Sequence, residues 1–431
     1  MSRPTVAIAM IVRDAEKTLP ALLKSILARP IPIADEFVFV DTGSLDRTCE
    51  LIAIACGFYS APWKYGELYK GQATGLPIFD GFTGGEVLSA GMAGSLVTSE
   101  PGRGFIRHFQ RGQDTYRLVT ARFDWIKDFA AARNYAFGLA TSDWVGYFDA
   151  DDEVENGHLL RDAVASAAAE GLEALALPYD YAPGVADWPL RFIARRSGLS
   201  WRRRIHETLE PAELRPVNAK SYADIVVRHT RRTEEETARS LARNGAICRE
   251  AYADAKAAGA VRDAACYAYT LALEALAARD ELAAEQLLLE TAAGAIGMAS
   301  RAHALLALSA MELGRKNPER AAEHAAAAVE AEPTFTDCHA AFGIALHRCR
   351  NHARAAQAFD FAFNRAPFPP RNAFLVNGFG RGLAALSYIG VGRLDDADKM
   401  LAAIPPEMAA TPEVAGMIAR AQAALAKRRA P

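Results

Sequence analysis

Four acids crowd into five positions, Asp149, Asp151, Asp152 and Glu153, at the end of the apolar run VGYF. Clustered carboxylates repel one another, so such a group is useful where something positive offsets it. A hard divalent cation does so, taking carboxylate oxygens as ligands and gathering diphosphate oxygens around it. In extended chain Asp149 and Asp151 point to the same side, so both could serve one ion. FVFVDTGSLDRT places Asp41 directly after another apolar run, beside a Thr-Gly-Ser turn. A carboxylate there can accept from a base N–H or a ribose hydroxyl while backbone approaches closely. RRRIHETLEP sets His206 beside Glu207, an imidazole next to a carboxylate. Taken singly, each stretch also reads as a solvated turn or a helix cap, and Asp46 is expected to cap the helix that follows it.

These residues need a scaffold that brings them together. TVAIAMIV and EFVFV read as buried strands, followed by the helical patterns AEKTLPALLKSILA and LDRTCELIAIACG. Strand–helix–strand order with nearly continuous apolar strands predicts a mostly parallel, Rossmann-like α/β sheet. DFAAARNYAFGLA predicts a helix, and WVGYF a strand that delivers the acids. In an open sheet of this kind, ligands bind at the carboxyl ends of the strands, where Asp41, Asp149 and Asp151 fall. Residues 65–122, rich in glycine with scattered aromatics, interrupt the rhythm and are expected to form an inserted hairpin or flap at the sheet edge. Trp125 and Trp144, flanking the helix, are expected in the core.

At 431 residues the chain is too long for one ordinary core, and composition changes near residue 232. Downstream, alanine dominates and strand signals stop. Pro333 and Pro367 lie 34 residues apart, and on that spacing Ala321 matches Ala355 and Ala328 matches Ala362. Gly343 and Phe359 fill two further positions of a pattern that resembles the tetratricopeptide repeat. A displaced repeat near 390–406 and a weaker one near 269–288 complete an all-α solenoid. The expected division is a catalytic domain over 1–232, a helical linker over 233–254 and repeats over 255–431. Gly378, Gly380 and Gly382 have no strand before them, so close helix packing or a break in the repeats is expected, not a dinucleotide loop.

Net charge is −3, with no global bias toward nucleic acid. Six cysteines show no metal-like grouping and are expected to be reduced. No apolar run approaches the length of a membrane span, and the opening residues fit a strand better than a signal peptide, so a cytoplasmic location is expected.

In order and context, AMIVRDAEKTLPALLKSI, FVFVDTGSLDRT, FDWIKDFAAARNYAFGLATSDWVGYFDADDEV and RRRIHETLEP resemble the successive blocks of glycosyltransferase family 2, of GT-A fold. The match is to the branch in which tetratricopeptide repeats follow the catalytic domain, and it covers about 5–60, 123–155 and 190–245 plus the repeats. The resemblance implies inverting transfer of a sugar, usually from a UDP-sugar, with Mn²⁺ or Mg²⁺. It implies Asp41 at the nucleotide base, Asp149 near the ribose, Asp151 on the metal, and Arg133 and Asn134 lining the nucleotide pocket. His206 and Glu207 match the block close to metal and acceptor. Glu207 is the first candidate for the base that deprotonates the acceptor. Asp152 and Asp180 are alternatives, and His206 is either a metal ligand or a structural donor. For Arg133 the plain alternative is a helix-surface ion pair with Asp128 or Glu16.

The solenoid favours a peptide or protein acceptor, because stacked helix pairs present an extended surface. Bacterial enzymes that glycosylate peptide cysteines or serines share this layout, and some form homodimers through their repeats. A surface glycan or a modified DNA base is the alternative acceptor, the latter suggested by RGFIRHFQRGQDTYR. A non-catalytic repeat scaffold with a degenerate transferase domain and a nucleotidyltransferase are the rivals from other classes.

Overall fold

The computed structural model describes residues 3–27, 32–56, 105–111, 114–182, 185–213, 215–230, 233–297, 299–366 and 370–430. The chain divides into two units, one of residues 1–181 and 187–239 and one of 182–186 and 240–431.

In the first unit β1 (Val6–Val12), α1 (Leu19–Leu27), β2 (Glu36–Asp41) and α2 (Thr48–Ala55) are followed by the hairpin β3 (Phe105–Arg111) and β4 (Asp114–Arg122). Then come α3 (Phe129–Leu139), β5 (Trp144–Gly146), β6 (Asp152–Glu155), α4 (Leu160–Ala169), β7 (Ala174–Ala176), β8 (Tyr179–Ala182) and β9 (Val185–Asp187). The unit closes with β10 (Leu190–Ala194), β11 (Ser200–Arg202), β12 (Thr208–Glu210), β13 (Ala219–Ser221) and β14 (Val226–His229), from which α5 (Glu234–Ala257) departs. The main sheet has eight strands in the order β13-β7-β10-β5-β1-β2-β4-β3. Its centre, β5-β1-β2-β4, is parallel, whereas β10 runs antiparallel to both β5 and β7 and β3 antiparallel to β4. The sheet is therefore mixed, with a parallel heart.

β1 shows why the centre reads as continuous apolar sequence. Val6, Ile8 and Met10 enter a core shared with Leu19, Leu22 and Ile26 of α1, while Ala7 and Ala9 enter a second core with Ala130 and Ala136 of α3. A strand covered on both faces has no polar side to show. The i, i+3, i+4, i+7 spacing of Leu19, Leu22, Leu23 and Ile26 gives α1 its single buried stripe. Of the stretch expected as an insertion, 65–104 lies outside the described residues. Phe105–Arg111 and Asp114–Arg122 pair antiparallel as β3 and β4, and β4 pairs in parallel with β2 over Arg117–Arg122. Two smaller groups of paired strands, β11-β12 and β6-β14-β8, complete the unit.

The second unit is helical, from the latter part of α5 through α6 (Val261–Ala277), α7 (Glu281–Gly294), α8 (Ala299–Gly314), α9 (Pro318–Ala331), α10 (Thr336–Arg348) and α11 (His352–Asn364). A seven-residue π-helical stretch, Phe374–Gly380, precedes α12 (Arg381–Gly390), α13 (Leu394–Ala402), α14 (Pro406–Ala409) and α15 (Pro412–Arg429). Consecutive helices pair in a solenoid, and the turn within each pair repeats. Arg279, Lys316 and Arg350 each adopt positive φ, as does Gly392 in the fourth pair. In the first three pairs the next residue, Asp280, Asn317 or Asn351, caps the second helix by accepting from the backbone N–H three residues on. The same turn thus marks α6–α7, faint in sequence, as a repeat like the others. The turn of the fourth pair follows that of the third by 42 residues, against 37 and 34 for the earlier intervals, and the wide π-helical stretch lies within that longer interval. There Gly378 and Gly382 pack close to Val414, Met408 and Met417, so the glycines serve helix packing.

Cys248, Cys338 and Cys349 are free thiols. Among the described residues no helix is long and apolar enough to cross a membrane.

Candidate functional site

The parallel strands β1, β2 and β5 end on the same side, and their carboxyl ends carry the acids. Asp41 closes β2 in register with Val12 and Arg122. Its buried carboxylate accepts from the backbone N–H groups of Gly43, at 3.3 Å, and Ser44, at 3.0 Å, which folds the Thr-Gly-Ser turn back onto it. Gly43 sits at φ 107, a conformation that side-chain-bearing residues resist. Asp14 and Glu16, after β1, accept from the N–H groups of Leu45 and Arg47, so the two loops pin each other. Asp46 accepts from the Thr48 N–H and hydroxyl just ahead of α2, a capping role.

α3 starts at its cap Asp128, whose carboxylate accepts from the Ala131 N–H at 2.8 Å. This fixes Arg133 one turn in. Its guanidinium donates from Nε to Glu207 Oε1 at 2.7 Å and from Nη2 to Asp149 Oδ1 at 2.6 Å, and lies over the rings of Tyr147 and Trp201. Arg133 therefore joins Asp149, on the acid loop, to Glu207, on the IHE block 58 residues further along. Neither Asp128 nor Glu16 is its ion-pair partner. Asn134 uses both ends of its amide on the backbone of Trp201 and so ties α3 to β11.

Asp149 keeps a third of its side chain exposed. Burial of the rest works against its charge, but Arg133 and Arg191 outweigh that and hold its pKa below the usual range. Asp152 is fully buried: its Oδ2 accepts from the Asp149 N–H at 2.9 Å and from Arg191 Nη1 at 3.1 Å. Burial, seconded by the charge of Asp149, pushes its pKa up. Its Oδ1 has no hydrogen-bond partner. β14 runs antiparallel to β6 and sets His229 opposite Asp152. His229 Nδ1 stands 3.6 Å from Asp152 Oδ1 and Nε2 3.5 Å from Asp151 Oδ2. Asp151, Asp152 and His229 thus bring three possible ligand atoms within 4.8 Å of one another. His206 is exposed, at φ 54, and is not a member of that group. Asp180 pairs with Arg228 on the surface.

Sequence reasoning missed two residues of this cluster. Arg191 could have been noticed, since a lone cation inside the apolar strand LRFIA demands a buried acid. His229 has no such signal, because only strand pairing places it beside Asp152.

Residues 106–230 match the model of glycosyl transferase family 2. The chain carries a glycosyl transferase family 2 domain. The matched segment holds Arg133, Asp149, Asp151, Asp152, Arg191, His206, Glu207 and His229, whereas Asp41 lies before it. No curated protein matches the chain. Among solved structures it is similar over 41% of its length to PilF of Pseudomonas aeruginosa, with 75% of that chain covered, 16% identity and a TM-score of 0.33. It is similar over 42% to MamA AMB-1, with 89% of that chain covered, 20% identity and a TM-score of 0.30. A Podosopora anserina protein described as having nearly identical TPR-like repeats is matched over 44%, with 94% of that chain covered, 15% identity and a TM-score of 0.29. The matched segment is followed by helix pairs that share a recurring turn.

Proposed function

We propose that the family 2 domain transfers a sugar from a nucleotide-sugar, a UDP-sugar by family resemblance, to a peptide or protein side chain with inversion. The observation that supports this most is Arg133. It couples the acid loop to Glu207 at the carboxyl end of the sheet, beside a three-residue group suited to a divalent cation. Two carboxylates and an imidazole suit Mn²⁺ or Mg²⁺, and the Oδ1 of buried Asp152, which makes no hydrogen bond, is turned toward His229. Asp151, Asp152 and His229 would hold the ion, with His206 close in sequence to Glu207 as the further candidate. When bound, the ion supplies charge stabilisation for the departing diphosphate.

The chain's own residues do the rest. Asp41 and Asp149 face the nucleoside, and Arg133, stacked on Tyr147 and Trp201, keeps Glu207 and Asp149 fixed. Glu207 accepts the acceptor's proton as the bond from sugar to diphosphate breaks and the bond to the acceptor forms. Asp152 is less suited to that task, since no part of its side chain is exposed. The solenoid is the surface on which an acceptor chain would lie.

The test is a hydrolysis screen of UDP-, GDP- and dTDP-sugars with Mn²⁺, Mg²⁺ or chelator, comparing the unaltered protein with Asp151→Asn. Release of nucleoside diphosphate that requires metal and Asp151 is the expected result, followed by mass spectrometry of candidate peptides with the best donor. No hydrolysis, together with no metal-dependent thermal shift with UDP, would leave a repeat scaffold as the better description. Pyrophosphate release from a nucleoside triphosphate would point to a nucleotidyltransferase.

A further inference from the structure

We propose that Arg191 is a positioning residue that orients Asp152 so that a single carboxylate oxygen is presented to Asp151 and His229. This rests on the metal-dependent transferase reading above. Arg191 is only 1% exposed, so it is placed to act through its neighbours and not on a substrate. It belongs to β10, whose next residue, Phe192, pairs with Gly146, and its carbonyl accepts from the Tyr147 N–H at 3.1 Å. The guanidinium lies over two rings, its central carbon 4.5 Å from the centroid of Tyr147 and 4.5 Å from that of Tyr179. A planar cation packed on two rings is held in orientation, and its donors act at its edge.

At that edge Nη1 lies 3.1 Å from Asp152 Oδ2 and 4.0 Å from Asp149 Oδ2. The Asp149 N–H donates to the same Asp152 oxygen. Two donors on Oδ2 fix the carboxylate plane and turn Oδ1 toward His229, whose Nδ1 lies 3.6 Å away. Arg191 also offsets one of the carboxylate charges that would otherwise repel its neighbours in a buried setting. Lysine would keep the charge but lose the flat, edge-directed geometry.

The experiment uses the full-length protein and Mn²⁺ alone, with free Mn²⁺ followed by its electron paramagnetic resonance signal. Arg191→Lys is compared with Asp151→Asn and with Arg161→Lys, which alters an arginine paired with Asp35 at the amino end of β2, the opposite edge of the sheet. The expected result is an Mn²⁺ half-saturation raised about tenfold or more in Arg191→Lys. Arg161→Lys should keep the original value at a similar loss of thermal stability, and Asp151→Asn should take up little Mn²⁺. In Arg191→Lys, nucleotide-sugar hydrolysis should recover toward the unaltered rate as Mn²⁺ is raised. If Arg191→Lys does not fold, Tyr147→Leu removes one stacked face while keeping the ion pair, and weakened Mn²⁺ uptake is again expected. Unchanged affinity in the folded variant, with Asp151→Asn defective, overturns the positioning role and leaves the metal reading standing. No Mn²⁺ uptake by the unaltered protein, or full uptake by Asp151→Asn, overturns both.

Discussion

Asn134 clasps the backbone of Trp201: its Nδ2 donates to the Trp201 carbonyl at 2.9 Å, and its Oδ1 accepts from the Trp201 N–H at 2.9 Å. Through this clasp α3 sets the depth of β11, and Trp201 in turn lies against Arg133 and Tyr147. Asn134→Ala leaves two backbone groups without their partner, which is expected to cost about 1–3 kcal/mol of stability. Asn134→Asp places a carboxylate oxygen against the Trp201 carbonyl and should cost more. Denaturant unfolding of both variants, followed by tryptophan fluorescence, checks the order.

Gly146 is expected to tolerate no side chain. A Cβ there would stand 2.2 Å from the Phe192 ring and 2.6 Å from the Arg191 carbonyl, a backbone atom that cannot swing away. Gly146→Ala should destabilise the first unit by about 1–3 kcal/mol through overpacking. Because Arg191 and the acid loop flank this contact, the folded fraction should also lose nucleotide-sugar hydrolysis. A variant with full hydrolysis and an unshifted unfolding midpoint would refute this packing.

In the solenoid, Gly343 and Phe359 are a matched pair. A Cβ on Gly343 would meet the Phe359 ring at 2.7 Å, and Phe359 is fully buried. Phe359→Ala is expected to cost about 3–5 kcal/mol and Gly343→Ala about 1–3 kcal/mol. Combining them should cost less than the sum, since the cavity left by one receives the methyl of the other. Calorimetric unfolding of the three variants measures the coupling.

The stability of the second unit should fall in mild acid. Burial, helped by Arg371, pushes His303 down to about 4, and burial, helped by His352, does the same to His347. An unfolded histidine titrates near ~6.5, so between that value and 4 the unfolded chain binds more protons. The contribution of the neutral rings is fully present above pH ~6.5 and is lost as pH falls toward 4. Hydrogen-exchange protection of α8 and α10 should decline over this window, and His303→Gln should flatten the decline. A pH-independent profile in the unaltered protein would contradict it.

The parallel heart of the sheet was readable because β1 and β2 are buried on both faces and must be apolar throughout. The antiparallel β10 was not, since a strand's direction depends on which neighbour it finds. In the solenoid the 34-residue spacing of Pro333 and Pro367 was visible, whereas α6–α7 became recognisable only through its turn, Arg279 at positive φ followed by the cap Asp280.

The acids tell the same story at the site. By itself the sequence determined that Asp41 would close one buried strand and that Asp149 and Asp151 would follow another, because apolar runs and strand order are local properties. Tertiary structure decided their partners. Arg133 reaches Glu207, Arg191 turns Asp152 inward and His229 faces Asp152 from β14, and each of these meetings depends on long-range pairing that no local pattern encodes.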